Sequence, residues 1–407
     1  MENLQRNFKI KIDKFFEKYM IFSLSLYLYL VFISSLLNIS LNNINIIFTT
    51  IIFIKIVVVN KINKKTIILV LILLVQTLLN FFININKIDI NFFFADSKYI
   101  YVFILFLITG DYYLNYKNII KIKNLIFMYN SILILFISGI YIFIFNSNRI
   151  FFLEKAALIS DILPSSFAFY KDRIFSANFT IGYILVSLIN ILEAVKKDSE
   201  KKKCIIQNII ILFYSIYFSA LGNLIGVLSF FLILIIKKFS EKDQKILLLF
   251  VSGFGIIFVI YILEKILQDD SIGVRLYQAK YLWKESLNHI VFGKGYGGYV
   301  FINGKIDKFK PYLYELDILS LLMKLGVVGC IIYYIPLFYL LTLAKLYLKK
   351  IGNFMIFSIT LLLLLSSNGG FLSSTFYAYI FVIIYYYLKS ELNEGEEDEN
   401  KYNSSNI

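Results

Sequence analysis

Residues 318–344 read ILSLLMKLGVVGCIIYYIPLFYLLTLA, an apolar run interrupted by a single charge, Lys324. The run is longer than the about 20 residues a helix needs to cross a bilayer. A strand of a soluble sheet ends well before this length, and a helix lying on a water-soluble core shows a polar stripe. The stretch therefore reads as a membrane span. A charge so deep in a span faces a cavity or a partner, which makes Lys324 a marker of the inward side. Immediately upstream, Tyr314–Asp317 (YELD) sets Glu315 and Asp317 at the start of the helix, where the macrodipole favours carboxylates.

Working outward, the same pattern recurs along the 407 residues, of which 59% are hydrophobic and only 17% charged. A soluble domain cannot bury so large an apolar share. Further apolar runs lie at Met20–Leu37, Ile44–Val59, Thr66–Phe82, Tyr99–Leu114, Leu125–Phe145, Asn178–Ala194, Ile205–Ala220, Asn223–Ile236, Ile246–Leu263, Phe354–Ser366 and Thr375–Leu388. With 318–344 they make about twelve spans. Only 3 Pro occur, so the spans are expected to be mostly unkinked. With the N-terminus inside, every short inner loop carries Lys or Arg, as the positive-inside rule requires. Outer basic residues gather in two longer loops, 146–177 and 264–317.

The expectation is an all-α polytopic integral membrane protein of about twelve transmembrane helices, with a large extracytoplasmic loop between spans 9 and 10. Residues 1–19 form a cytoplasmic N-terminus and 20–388 the transmembrane domain. Residues 389–407, rich in Glu and Asp, read as a disordered cytoplasmic tail. The net charge of +14 is spread as short Lys clusters between apolar runs, which argues against nucleic acid as a partner and for a lipid bilayer. A chain with 2 Cys and 1 His holds neither a disulfide framework nor a structural zinc.

Chemistry concentrates in Ser271–Gly329, the longest polar interruption. GVRLYQAKYLWKES (273–286) carries Arg275, Lys280, Lys284 and the single Trp, Trp283. Arg is scarce beside Lys in this chain, and three of its occurrences (Arg149, Arg173, Arg275) fall in the two outer loops. A guanidinium makes a planar fork matched to phosphate oxygens; the alternative is an Arg snorkelling at the headgroup boundary. GKGYGGY (293–299) follows His289. No strand precedes it, so it reads as a tight turn bringing backbone close to a ligand or a neighbouring helix rather than as a dinucleotide loop. His289 reads as a turn or surface residue or as a base. Further upstream, RIFSANF (173–179) sets Arg173 just before a span that Asn178 can cap. Lys55 is a second charge inside a span.

In order and spacing, RIFSANF, GVRLYQAKYLWKES, FGKGYGGY and YELDILSLLMKLGVVG resemble the O-antigen polymerase and O-antigen ligase superfamily of bacterial envelope glycan enzymes. The resemblance covers about Arg173 to Lys350. Two places depart from it: Tyr314-Glu315 stands where many members, ligases especially, have His-Asn, and SALGNLIG (219–226) stands where many have Thr-x-Ser-Arg. The loss of the His turns the resemblance toward a polymerase. The resemblance implies a glycosyltransferase of the bacterial cytoplasmic (inner) membrane, and the Lys and Arg distribution sets both termini on the cytoplasmic side. It would move glycan from a polyprenyl-diphosphate-linked oligosaccharide to a lipid-linked repeat unit of an O-antigen, capsule or exopolysaccharide. Flippase and chain-length regulator proteins are the partners it implies. It requires no cofactor and no metal, because the donor is already activated. Under it, Arg275 and Glu315 are catalytic, with Glu315 as base or acceptor-orienting group. Arg173, Arg275, Lys280 and Lys284 bind the diphosphate, and Tyr296, Tyr299, Tyr314 and Asp317 contact acceptor or glycan. The alternatives are ligase-type transfer to another acceptor and a lipid-linked glycan flippase.

Overall fold

A computed structural model describes residues 11, 13–25, 41–58, 62–85, 90–145, 168–170, 173–175, 177–196, 201–217, 221–240, 242–244, 270–300, 316–366 and 375–404. The described residues are almost entirely helical. Residues 13–25 form α1. There follow α2 (Leu41–Val58), α3 (Lys64–Asn84), α4 (Ile90–Tyr113), α5 (Tyr116–Phe145), α6 (Ala177–Val195), α7 (Lys201–Tyr217), α8 (Leu221–Ile236), α9 (Asp270–Asn288), α10 (Asp317–Leu348), α11 (Ile351–Ser366) and α12 (Thr375–Ser404). A small antiparallel ribbon pairs β1 (Ala168–Tyr170) with β2 (Arg173–Phe175), with Tyr170 opposite Arg173. Among the described residues, three helices are long and apolar enough to cross a membrane: Lys64–Asn84, Ile90–Tyr113 and Ile318–Leu348. Gly182–Val195, Asn223–Ile236 and Ile351–Leu363 are shorter apolar helices. The expected span Ile246–Leu263 lies outside the described residues, as does most of Met20–Leu37.

The chain divides into two units. The first comprises Met1–Lys61, Thr109–Phe231 and Lys389–Ile407. In it α6 packs against both α5 and α7. The close approach of α5 and α6 depends on Gly182, where a Cβ would stand 2.7 Å from Asn130 Nδ2. Lys123 on α5 is completely buried, and its ammonium donates to Asn190 Oδ1 at 3.1 Å and to Cys204 Sγ at 3.7 Å. Lys55, read as a charge inside a span, pairs with Asp13. Helix α12 runs on to Ser404, into the acidic tail. A helix already formed extends at the cost of one residue per hydrogen bond. Lys196–Glu391 at 2.5 Å and Lys389–Asp111 at 2.6 Å hold the beginning of that extension.

The second unit comprises Ile62–Ile108 and Leu232–Leu388. Helix α3 shows its logic most clearly. Its buried side carries Thr66, Leu69, Val70, Leu73, Gln76, Asn80 and Asn84. Its exposed side carries Ile67, Ile68, Leu71, Leu74, Val75, Leu78, Leu79 and Phe82. Amides inside and a continuous apolar stripe outside invert the water-soluble pattern, and suit a helix whose solvent is hydrocarbon. Helix α10 is the centre of this unit and packs against α3, α9 and α11. It is not the unkinked span that scarce proline suggested. Gly326 breaks it, with φ 64° and ψ −176°.

Candidate functional site

The break in α10 is made jointly by two parts of the long polar stretch. A residue with a Cβ is strained at the dihedrals of Gly326, and here a Cβ would also lie 2.4 Å from both Gly293 N and Val291 O. Gly293 has φ +71°, and a Cβ on it would stand 2.2 Å from Lys324 O. The two glycines thus press backbone on backbone. Around them the chain segments exchange hydrogen bonds: Lys294 N donates to Met323 O at 2.7 Å and Gly295 N to Lys324 O at 2.9 Å. On the other side of the break, Val327 N donates to Ile290 O at 2.7 Å and Val328 N to Val291 O at 3.1 Å. Main-chain groups that the break would strand within an apolar helix are in this way satisfied by the loop.

Side chains from α3 and α4 clamp the same junction. Asn80 accepts from Tyr296 N at 2.7 Å through its Oδ1 and donates to Lys324 O at 3.1 Å through its Nδ2. Asp96 accepts from Gly297 N at 2.7 Å and from the Lys324 ammonium at 2.8–2.9 Å. Both members of this ion pair have side chains only 1% exposed. The inward partner that Lys324 demanded is therefore Asp96. Tyr296 is wholly buried, its hydroxyl 2.9 Å from that of Tyr99 and accepting from Gln76 Nε2 at 3.2 Å. Gln76 Oε1 has no hydrogen-bond partner among the described residues. Beside it lies a crevice of about 30 Å³, lined by Asn80, Phe292, Leu325 and Gly329 among others, which is room for a water molecule.

Helix α9 leads into this junction. Its Leu282 is buried in a cluster with Val300 and Met323, against which Tyr281, Leu316 and Leu319 pack. Ser286, one turn on, is buried on the same side and donates to Leu282 O. Glu285 accepts from Lys294 at 2.6 Å and lies 3.7 Å from His289 Nε2. Partial burial pushes the Glu285 carboxyl up, but the Lys294 hydrogen bond and charge, with His289 and Asn288, outweigh it and hold the group below its ordinary value. Lys294 also donates to Tyr299 O at 2.8 Å, and the Tyr299 ring meets Phe92 edge to face.

These positions sort the residues expected to carry chemistry. Tyr296, expected to contact glycan, is instead sealed in the junction. Its place beneath the glycine turn, flanked by Tyr99 and Phe93, leaves no ring face for a sugar in this conformation. Tyr299 is half-buried at the edge of the same turn. Lys280 and Lys284 are exposed on α9. Arg275 lies in the first half of α9, and at 3.6 residues per turn its backbone position shares the register of Leu282 and Ser286. Asp317 is the first residue of α10, and Arg173 opens β2. Glu315 and Tyr314 lie outside the described residues. The structure thus joins the α9 helix, the glycine turn and the start of α10 in one unit, while the ribbon bearing Arg173 belongs to the other.

No family model matches the chain, and no curated protein matches it. The functional reading therefore stands on the chain's own residues.

Asn80 and Asp96 escaped the sequence reading. The apolar run read from the sequence starts at Tyr99 and leaves Asp96 outside it, whereas α4 begins at Ile90 and takes Asp96 in. The usable signal was helical spacing. Phe93, Asp96, Ser97, Ile100 and Phe103 fall on one stripe, and all are buried.

Proposed function

We propose that this chain is a membrane glycosyltransferase that polymerises polysaccharide repeat units from a polyprenyl-diphosphate-linked donor, at the outer face of the cytoplasmic membrane. The observation that carries the reading is the interlock of GKGYGGY with the glycine of LGVVG. Two motifs that resemble the polymerase and ligase superfamily separately, and far apart in sequence, prove to be one structural piece. That piece joins the end of α9 to the start of α10, the two helices that bear Arg275 and Asp317.

In the reaction the acceptor hydroxyl oxygen forms a bond to the donor sugar's anomeric carbon. The bond from that carbon to the diphosphate oxygen breaks, the diphosphate takes the electron pair, and the hydroxyl proton passes to a base. A diphosphate departs readily, so the protein's task is to hold cations against the developing charge and to place the hydroxyl. Arg275 serves the diphosphate, as a guanidinium fork. Glu315 takes the proton or orients the acceptor. Tyr299, Tyr314 and Asp317 contact the glycan. Activation resides in the donor, so the step needs no nucleotide or metal.

Arg275→Ala tests this in the producing cell, with surface glycan resolved on a gel and the lipid-linked fraction extracted. The expected result is collapse of the ladder to single repeats. Unaltered chain lengths would overturn the assignment. Long lipid-linked chains without transfer would mark a ligase, and repeat units stranded on the inner leaflet would mark a flippase.

A further inference from the structure

The exposed stripe of α9 has a chemistry of its own. Lys280, Trp283, Lys284 and Leu287 recur at the spacing that places residues on one helical face. All are exposed, Trp283 by 52% and Leu287 by 51%. The opposite stripe, with Leu282 and Ser286, is the one packed into the α10 junction. Past Asn288 and His289, exposed apolar character resumes at Ile290, Val291 and Phe292, each about half exposed. Neither Lys280 nor Lys284 has an ion pair among the described residues, and Glu285 beside them pairs with Lys294 instead. Two exposed ammonium groups thus flank the single tryptophan, above a bulky apolar edge.

We infer that this stripe docks on the bilayer surface, with Lys280 and Lys284 on anionic phospholipid headgroups and Trp283, Leu287 and Phe292 sunk at the acyl boundary. Charge complementarity selects this occupant. An apolar edge alone would suit any hydrophobic partner, whereas an apolar edge bordered by exposed lysines and a tryptophan matches the layered polarity of a headgroup region. The lysines therefore meet lipid phosphate rather than the diphosphate of a glycan donor. The docking fixes the height of α9, and so of the glycine turn, relative to the membrane. It is independent of the polymerase reading.

Because the chain has one Trp, its fluorescence reports on Trp283 alone. The full chain is reconstituted in nanodiscs of phosphatidylglycerol or of phosphatidylcholine, both free of glycan lipid. Acrylamide quenching measures exposure to water, and lipids brominated high on the acyl chain measure contact with the boundary. In phosphatidylglycerol at low salt, Trp283 is expected to resist acrylamide and to be quenched by the brominated lipid. Lys280→Gln with Lys284→Gln, high salt, or phosphatidylcholine should each release it, shifting the docked-to-undocked ratio by about 30-fold. Strong acrylamide quenching in every lipid would overturn the proposal by placing the stripe in water. Protection indifferent to lipid, salt and both substitutions would overturn it by placing protein over the stripe. The salt and lipid comparisons use the unaltered chain, so the test does not depend on the variant folding.

Discussion

The Asp96–Lys324 pair offers the sharpest test of how the junction is held. Replacing Asp96 by Asn keeps the shape and leaves an acceptor for Gly297 N, but removes the charge opposite an ammonium whose side chain is 1% exposed. Breaking a buried pair by removing one partner costs about 3–5 kcal/mol, because the remaining charge is neither hydrated nor paired. Lys324→Met has the converse effect, leaving the Asp96 carboxylate with Gly297 N as its donor in the junction. Each single variant should therefore lower the folding equilibrium by more than about a hundredfold. Asp96→Asn combined with Lys324→Met removes both charges at once and should cost far less than the two singles together, giving a coupling of about 3 kcal/mol. Unfolding in mixed micelles, followed by Trp283 emission, measures all four corners of the cycle. Additive losses, or single variants costing under about 1 kcal/mol, would refute the claim that the pair holds the junction.

Gly326→Ala should be as damaging as either single charge variant. It adds about 1–3 kcal/mol of backbone strain to a Cβ placed 2.4 Å from Gly293 N. The monodisperse fraction surviving detergent extraction reports the loss, and an undiminished fraction would mean that the two glycines are not interlocked. The Glu285–Lys294 contact predicts a pH effect of definite sign. The Glu285 carboxyl lies below its ordinary value in the folded protein, so its contribution is in place above the unfolded Glu range and fades as pH falls through the lower folded value. Unfolding midpoints taken across the acid range should lose this component in Lys294→Gln; a pH profile identical to that of the parent chain would count against the contact.

The residues themselves declared most of the helices, since an apolar run of span length has few other fates. GKGYGGY was legible as a turn that brings backbone against a ligand or a helix, and the helix proved to be the partner. Lys324 declared that it faced a cavity or a partner but not which, because pairing across 228 positions leaves no local trace. The break at Gly326 was hidden for a related reason. A glycine within an apolar run costs a span little unless another segment approaches it, and only the folded chain brings Gly293 there. Tyr296 shows the opposite error: an aromatic beside a glycine cluster looks accessible in one dimension, yet three hydrogen-bonding side chains from earlier helices enclose it.

The same junction bears on how such a chain is made. The carbonyls of Met323 and Lys324 would be stranded in hydrocarbon if α10 entered the bilayer alone. Every group that answers them lies upstream: the amides of Lys294 and Gly295, and the Asn80 amide. During N-to-C synthesis these parts already exist when the helix around Gly326 emerges, so the receptor for the break is assembled before the break arrives. A circular permutant that delivered α10 ahead of the 289–298 loop would have to insert its most awkward segment unaided.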